Sequence, residues 1–549
     1  AYNENYNFAQ APPTPTVTAI PGDNRVTLVW NDVAEKFLDP IAGYDFEGYR
    51  IYRSTDPGWN DMLPITDGNG ATTYRKPLAQ FDLDNEYSGY MGLAVKGIHF
   101  YLGDNTGLTH MFVDTTVQNG YTYYYAVTSY DHGDSLGTIS PTECKKFISI
   151  STTGEIEDKG PNVVVVRPEA PVAGYVPATF ESSTIFKTPE TTADGEIDYE
   201  IVFPDLIKDG QKYQITFEDS ITGMRTQLSR ITKNFSLTNV TTGEILIDKS
   251  TAFHEEDELS VTDGFKLKLI NAAEQLELDA DNSMWSRTGM IPFSIAPFYL
   301  SNTPVELISA DFQVIIGDVG LDSSTAFMRG SEVLPAIPVN FTIVNTTLNK
   351  KVKFAFRERD MGTGTEGMLT SRTATRRSDE VIFLAEADSL IASWQLSFTA
   401  STVDTIQPGP GDVLTLKLFK PFLSHDAYEF STQASRIDVE LAKEEMDNIK
   451  VVPNPYIVAN AWEQKNPYAS GRGPRELHFI HLPPQCTIKI FNLSGQLVVE
   501  LNHDAALWDG AEKWDLKTKD LLDVAYGVYI YHINAPGIGE KIGKFAVIK

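Results

Sequence analysis

The chain has 549 residues, and at roughly 100–200 residues per domain it is modular and not one compact fold. Its 74 acidic and 45 basic side chains leave a net charge of −29, which repels phosphate backbones and anionic lipid surfaces and speaks against nucleic acid as a partner. With 42% apolar and 11% aromatic residues it can bury substantial cores, yet its longest aliphatic run, Val163 to Val166, is far too short to cross a bilayer.

Period-2 alternation recurs almost throughout, as in Val26-Thr27-Leu28-Val29-Trp30, and is broken by Gly, Asn, Asp and Pro clusters, which predicts an all-β protein. Residues 1–11 read as an extended arm. Tyr2, Tyr6 and Phe8 share one face with Glu4 and Gln10, and Pro12 and Pro13 stop the strand from turning straight back into a sheet. Such an arm is expected to add to an exposed sheet edge of a neighbouring copy. The chain starts at Ala1 without a charged and apolar leader, as a mature exported product would.

Residues 12–158 carry Trp30 on a second strand, then Phe46-Glu-Gly-Tyr49-Arg-Ile51-Tyr52-Arg53, and a late strand with Tyr121, Tyr123, Tyr125 and Val127 on its inward face and Tyr124 pointing out. This segment resembles a bacterial fibronectin type III domain, interrupted by an insertion over 55–107. In that insertion Trp59, Tyr74, Tyr87 and Tyr90 are candidates to stack on sugar rings, or to form a small core of their own. Asp82, Asp84 and Glu86 place oxygen ligands at alternate positions as calcium loops do. Tyr87 stands at the glycine position, however, and Leu93 where a bidentate Glu belongs.

Lys159-Gly160-Pro161 and the proline-punctuated Arg167–Pro177 open a middle region that carries an internal duplication. Tyr213-Gln-Ile-Thr-Phe-Glu-Asp219 matches Phe312-Gln-Val-Ile-Ile-Gly-Asp318. Asn234-Phe-Ser-Leu-Thr-Asn-Val-Thr241 matches Asn340-Phe-Thr-Ile-Val-Asn-Thr-Thr347, with a short extra segment between the motifs in the second copy. Two related β-domains over 159–290 and 291–437 follow from this. Asp279 and Asp281 repeat the alternate-oxygen pattern, with Met284 and Met290 in place of its Gly and Glu. Asp438 to Asn448 has an Asp start signal, good helix formers and a stop shortly before Pro453, so 438–448 is predicted to be a linker helix.

Residues 449–549 contain Val451-Val452-Pro453-Asn-Pro455-Tyr456, Leu477-His-Phe-Ile-His-Leu-Pro483, Cys486-Thr-Ile-Lys-Ile-Phe-Asn-Leu-Ser-Gly495, Trp514-Asp-Leu516 and Gly527-Val-Tyr-Ile-Tyr531. In combination these resemble the terminal immunoglobulin-like domain of type IX secretion sorting domains and flagellar hook-cap proteins. That resemblance implies export to the outer surface of a Gram-negative-type bacterium, and the predicted fold is tandem immunoglobulin- or fibronectin-like β-sandwiches with one short linker helix.

Catalytic signatures are weak. Gly133-Asp134-Ser135-Leu136-Gly137 fits a serine elbow, but it follows a strand and precedes another where an elbow needs a helix. His478 and His481, three apart on a strand, point to opposite faces, so zinc is not expected. Cys144 and Cys486 read as small buried apolar residues. Asn234, Asn239, Asn340, Asn345 and Asn492 head N-x-[ST] triplets; Asp134, Asp219, Asp388 and Asp404 head D-[ST]-aliphatic triplets resembling those glycosylated in Bacteroidota. The expectation is a non-enzymatic extracellular structural protein without cofactor, calcium apart. It would be a subunit of a surface filament, appendage or layer that self-associates by β-strand addition or end-to-end packing. A secreted adhesin or carbohydrate-binding protein is the alternative, and an accessory part of a secreted enzyme a third.

Overall fold

The structure is a computed structural model; it describes residues 9–66, 71–95, 97–133, 139–151, 156–181, 185–255, 257–301, 303–359, 364–372, 377–386, 389–399, 405–457, 459, 463 and 475–548. The predicted arm residues Tyr2, Tyr6 and Phe8, the serine of the elbow motif, Ser135, and the triplet-heading Asp134, Asp388 and Asp404 lie outside the described residues. The protein is all-β, built of antiparallel sandwiches with one short α-helix among the described residues. It divides into two compact units. One joins the chain up to Pro177 to everything from Ser435 onward, and the other is Ala178–Ala434.

In the first unit, a three-stranded sheet of Val17–Gly22, Arg25–Trp30 and Met111–Asp114 shares a core with a four-stranded sheet of Val163–Val166, Tyr123–Asp131, Phe46–Ser54 and Ala79–Asp82. Trp30 sits in that core, edge-on to Tyr49 with ring centroids 5.7 Å apart, and Tyr123, Tyr125 and Val127 face it as the alternation predicts. Tyr124 differs from expectation. It does leave the core face, but it is buried, packed with Tyr52, Trp59, Met62 and Val163 in a second cluster. The physical reason is the insertion, which covers the sheet's other face and leaves every residue of Tyr123–Asp131 buried.

The C-terminal part pairs Lys450–Val452, Leu477–Ile480 and Glu512–Trp514 in one sheet. The other sheet is Leu497–Asp504, Gln485–Asn492, Gly527–Ala535 and Gly539–Ile548, with Tyr456–Ile457 added in parallel. Phe479, Trp514, Tyr529, Tyr531 and Phe545 fill its core. The proline-rich connector is not a free linker. Its backbone lies along this domain, with Ala173 N donating to Leu482 O and Gly510 N to Ala170 O, both at 2.9 Å. Gly510 is needed there, because a Cβ would lie 2.6 Å from the Pro171 carbonyl. The predicted helix forms over Val439–Glu445 and runs on as a 3-10 turn to Asn448; Asp438 caps it by accepting from Glu440 N and Leu441 N. Tyr175–Val176 pairs with Arg436–Ile437, so the chain leaves and re-enters the unit through neighbouring strands.

In the second unit the duplicated motifs become equivalent strand pairs. Lys212–Thr222 pairs with Ser229–Asn239 in the register Tyr213↔Asn239, and Phe312–Ile316 pairs with Phe341–Asn345 in the register Phe312↔Asn345. Matching hydrogen bonds recur: Lys212 N donates to Thr241 Oγ1, and Asp311 N to Thr347 Oγ1, each at 2.9 Å. The boundary between the copies differs from the expected position near 290. Glu277–Trp285 pairs with Val413–Phe419 and belongs to the second sandwich, while Ala427–Gln433 pairs with Lys212–Thr222 and belongs to the first. The core assignments agree, since Leu276 and Trp285 pack with Phe312, whereas Phe422, Tyr428 and Phe430 pack with Tyr213 and Phe265. The second sandwich is therefore inserted into the first, before its last strand.

Candidate functional site

The sequence nominates side chains by type, and the fold decides which of them meet. Of the candidate sugar-stacking residues, Trp59 is 8% exposed and buried among Tyr52, Tyr124 and Met62. Tyr74 packs edge-on to Phe100 with centroids 5.5 Å apart, and Tyr87 stacks on His132 at 3.8 Å. These three are spent on packing the insertion within itself and onto the sandwich. Tyr90 stands apart, 73% exposed, with its ring 4.8 Å from that of Tyr101.

The insertion is fastened through a residue that alternation does not single out. Arg50 is 5% exposed, and its guanidinium lies 4.1 Å from the Phe100 ring centroid and 4.6 Å from that of Tyr130. It donates to Glu143 Oε2 at 3.1 Å, to Gln80 Oε1 at 3.3 Å and to the Tyr101 carbonyl. Phe100 and Tyr101 are on the insertion, and Glu143 follows the late strand, so one cation ties three segments together.

The calcium-loop candidates do not converge as their spacing suggests. Asp84 and Glu86 are exposed, whereas Asp82 is fully buried and turned toward a different segment. Its Oδ2 accepts from Asn105 N at 2.6 Å, and its Oδ1 from Thr106 N and Thr106 Oγ1 at 3.1 and 2.7 Å. Asp279 is buried and accepts from Asn282 N and Asn282 Nδ2 at 3.2 and 2.6 Å, in a stretch where the strand's register slips, and Asp281 is exposed. Among the described residues, no three His, Cys, Asp or Glu side chains are grouped to hold a metal.

The same use of buried carboxylates recurs in both units. Asp114 accepts from Arg53, Tyr125 Oη and Thr116. Asp379 takes backbone N–H groups of Arg359 and Thr370, and Asp426 those of Thr192 and Leu423. Asp311 is held below the usual carboxylate range, against the opposing effect of its burial, by hydrogen bonds from Lys417 and Lys420. Of the N-x-[ST] asparagines, Asn234, Asn239, Asn340 and Asn345 are buried. Asn239 Oδ1 caps a turn by accepting from Thr241 N and Thr242 N, as Asn345 Oδ1 does from Leu348 N. Asn234 Nδ2 donates to Glu218 Oε2 at 3.0 Å and Asn340 Oδ1 accepts from Leu369 N at 2.9 Å, so all four amides are buried and engaged, which makes them poor acceptor sites in the folded chain.

Sequence reasoning missed Asp45 and Glu47, two buried carboxylates at the head of the strand Phe46–Ser54. Burial, with Asp131 and Asp39 nearby, pushes Asp45 up to about 7; burial and the Asp82 charge, against a hydrogen bond from Asn85, push Glu47 up to about 8. The available signal was an acidic pair flanking Phe46 where the alternation otherwise predicts an aromatic and aliphatic strand.

No protein-family model matches the chain, and no curated protein matches it. Among solved structures, it aligns over 99% of its length with 51% of PorZ, a bacterial surface component of the type-IX secretion system of Porphyromonas gingivalis, at 9% identity and TM-score 0.15. A similar alignment places 72% of the chain on 35% of dimeric latent PorU from the same organism, at 11% identity and TM-score 0.13. A Ca2+-stabilised ice-binding adhesin of an Antarctic bacterium aligns over 99% of this chain and 100% of its own, at 8% identity and TM-score 0.12. The chain thus spans about half of PorZ and about a third of PorU. The fold assignment rests on the chain's own strand pairing.

Proposed function

We propose that this chain is a non-catalytic extracellular structural protein, a subunit of a filament, appendage or layer at the outer surface of a Gram-negative-type bacterium. It would assemble through β-strand contacts or end-to-end packing. The observation that supports this most is the use of the buried ionisable groups. Asp82, Asp114, Asp311, Asp379 and Asp426 are all engaged in fastening loops and strands, an investment in rigidity that suits a load-bearing spacer. The connector docked along the C-terminal domain adds to that rigidity. Export through a type IX pathway is supported by the sequence resemblance of residues 449–549 to sorting domains.

Negative-stain microscopy and light scattering on the purified chain test the assignment. End-to-end polymers that disappear when residues 1–11 are removed are the expected result. Particles of a single 60.9 kDa chain at every concentration would overturn it.

The adhesin reading keeps one observation in its favour, the exposed Tyr90 ring beside Tyr101. A glycan array separates the two, since sugar binding lost in Tyr90→Ala selects the adhesin.

A further inference from the structure

The connector of the first unit also shapes a cavity. Its backbone pins the loop that precedes the strand Glu512–Trp514, since Val172 N donates to Leu507 O at 3.0 Å and Gly510 N to Ala170 O at 2.9 Å. Where that loop, the connector and the end of Val163–Val166 meet, the fold leaves a cavity of about 450 Å3, within the roughly 300–1,000 Å3 of small-ligand sites. Val165 and Val166 give it an apolar wall, and the half-buried Trp508 an indole. Four charged side chains, Arg167, Glu169, Asp509 and Lys513, line it as well.

Arg167 is held by buried neighbours. Its Nε lies 2.7 Å from Glu169 Oε1 in an ionic contact without hydrogen-bond geometry, and its Nη2 lies 2.7 Å from a ring nitrogen of His478, which is 1% exposed. Burial pushes Glu169 up to about 6 against the pull of Arg167, so it is ionised at neutral pH. Asp509 Oδ1 accepts from Ala511 N at 3.3 Å. Lys513 lies within the electrostatic reach of Arg167, Glu476, Glu169 and Asp509, yet makes no hydrogen bond or ion pair among the described residues. In a chain of net charge −29, this cavity is lined by two cations and two carboxylates.

A balanced lining of that kind selects against ions, because an anion meets Glu169 and Asp509 and a cation meets Arg167 and Lys513. A hydroxyl suits both halves, since it accepts from an ammonium or guanidinium and donates to a carboxylate. Several hydroxyls carried on a ring with an apolar C–H face, which packs on an indole and on valines, describe a sugar. We propose that this cavity binds a neutral sugar residue of a glycan, with the ring against Trp508 and its hydroxyls held by Lys513 and Asp509. The connector's hydrogen bonds hold the loop in place beforehand, which spares binding the cost of ordering it. The site is separate from the insertion and from Tyr90, and it does not depend on whether copies of the chain polymerise.

The test applies the full chain to an array of neutral oligosaccharides of hexoses, N-acetylhexosamines and deoxyhexoses, with sialylated and sulfated counterparts beside them. The strongest ligand is then titrated calorimetrically. Binding to neutral members is expected, with an affinity that changes less than about twofold between low and high salt. Trp508→Ala and Lys513→Met are each expected to weaken it about tenfold or more. Tyr44→Ala, which removes a 75% exposed tyrosine elsewhere in the same unit, should leave it unchanged. Lys513→Met alone decides the matter should Trp508→Ala not fold. The proposal is overturned if no neutral glycan is retained, if the acidic counterparts are preferred, or if binding survives in the folded cavity variants. Binding that is lost in Tyr90→Ala and kept in Trp508→Ala would place the sugar on the insertion and overturn it equally.

Discussion

Replacing Arg50 with methionine should release the insertion from the sandwich, and the contacts allow the loss to be estimated. Breaking a buried, hydrogen-bonded charge pair costs about 3–5 kcal/mol, and each desolvated cation–π contact contributes up to about 2 kcal/mol. Methionine keeps part of the packing against Phe100 and Tyr130. Glu143 is not abandoned either, since it still accepts from Tyr52 Oη at 3.1 Å and Thr128 Oγ1 at 2.7 Å, with Lys146 Nζ 3.9 Å away. The low end of the range therefore applies, about 3–4 kcal/mol. Hydrogen exchange read by mass spectrometry is the suitable assay, because it resolves local opening in a multidomain chain where one global midpoint is ill-defined. Protection in peptides covering Thr72–Arg75 and Ile98–Tyr101 should fall by at least two orders of magnitude, with Arg50→Lys intermediate, since an ammonium cannot fork to Gln80, Glu143 and Tyr101 together. A change below about threefold in Arg50→Met would refute the view that this guanidinium fastens the insertion.

The first unit should lose stability as pH rises from 5 to 9. Glu47 has its folded pKa raised from 4.5 to about 8, so the protonated form favours folding: its contribution is complete below the unfolded value and vanishes through the folded one. Melting across that range should show a shallower decline in Glu47→Gln, and an identical slope would contradict the assignment. Asn239→Ala and Asn345→Ala each remove a turn cap at equivalent positions and should cost about 1–2 kcal/mol apiece in urea unfolding of the second unit. Gly543→Ala would set a Cβ 2.2 Å from the Tyr531 ring, which is 5% exposed, and should destabilise the C-terminal domain by about 1–3 kcal/mol, seen as a lower thermal midpoint. Burial raises both thiols, Cys486 up to about 12, so neither should react with a disulfide reagent at pH 8 until the chain is unfolded.

The parts of the architecture written into local pattern were legible. Alternation put Tyr123, Tyr125 and Val127 inward, and the duplicated motifs fall on strand pairs that share a register, Tyr213 with Asn239 and Phe312 with Asn345, a pairing that motif matching along the chain does not itself specify. The linker helix carried its own start signal at Asp438. What local pattern does not encode is which distant strand completes a sheet. Ala427–Gln433 reads equally well as the end of either sandwich, and its ladder with Lys212–Thr222 and the packing of Tyr428 and Phe430 against Phe217 and Tyr213 assign it to the first. Burial of Tyr124 was hidden for a similar reason, since period 2 names a face without saying what covers it. The oxygen pattern at Asp82, Asp84 and Glu86 misled because it counts spacing along one turn, whereas Asp82 meets a loop more than twenty residues away and Glu47 reaches the turn from another strand.

The nesting of one sandwich inside another fixes an order in time. The strand Lys212–Thr222 emerges early in synthesis, but its neighbour Ala427–Gln433 comes only after the inner sandwich has ended with Val413–Phe419. Tyr175–Val176 must wait longer still, for Arg436–Ile437. The innermost body can close first and, once compact, brings the two flanking segments near each other, which lowers the entropic cost of joining them. Maturation then proceeds from the inside outward, and a lesion in the innermost core would stall every layer that encloses it.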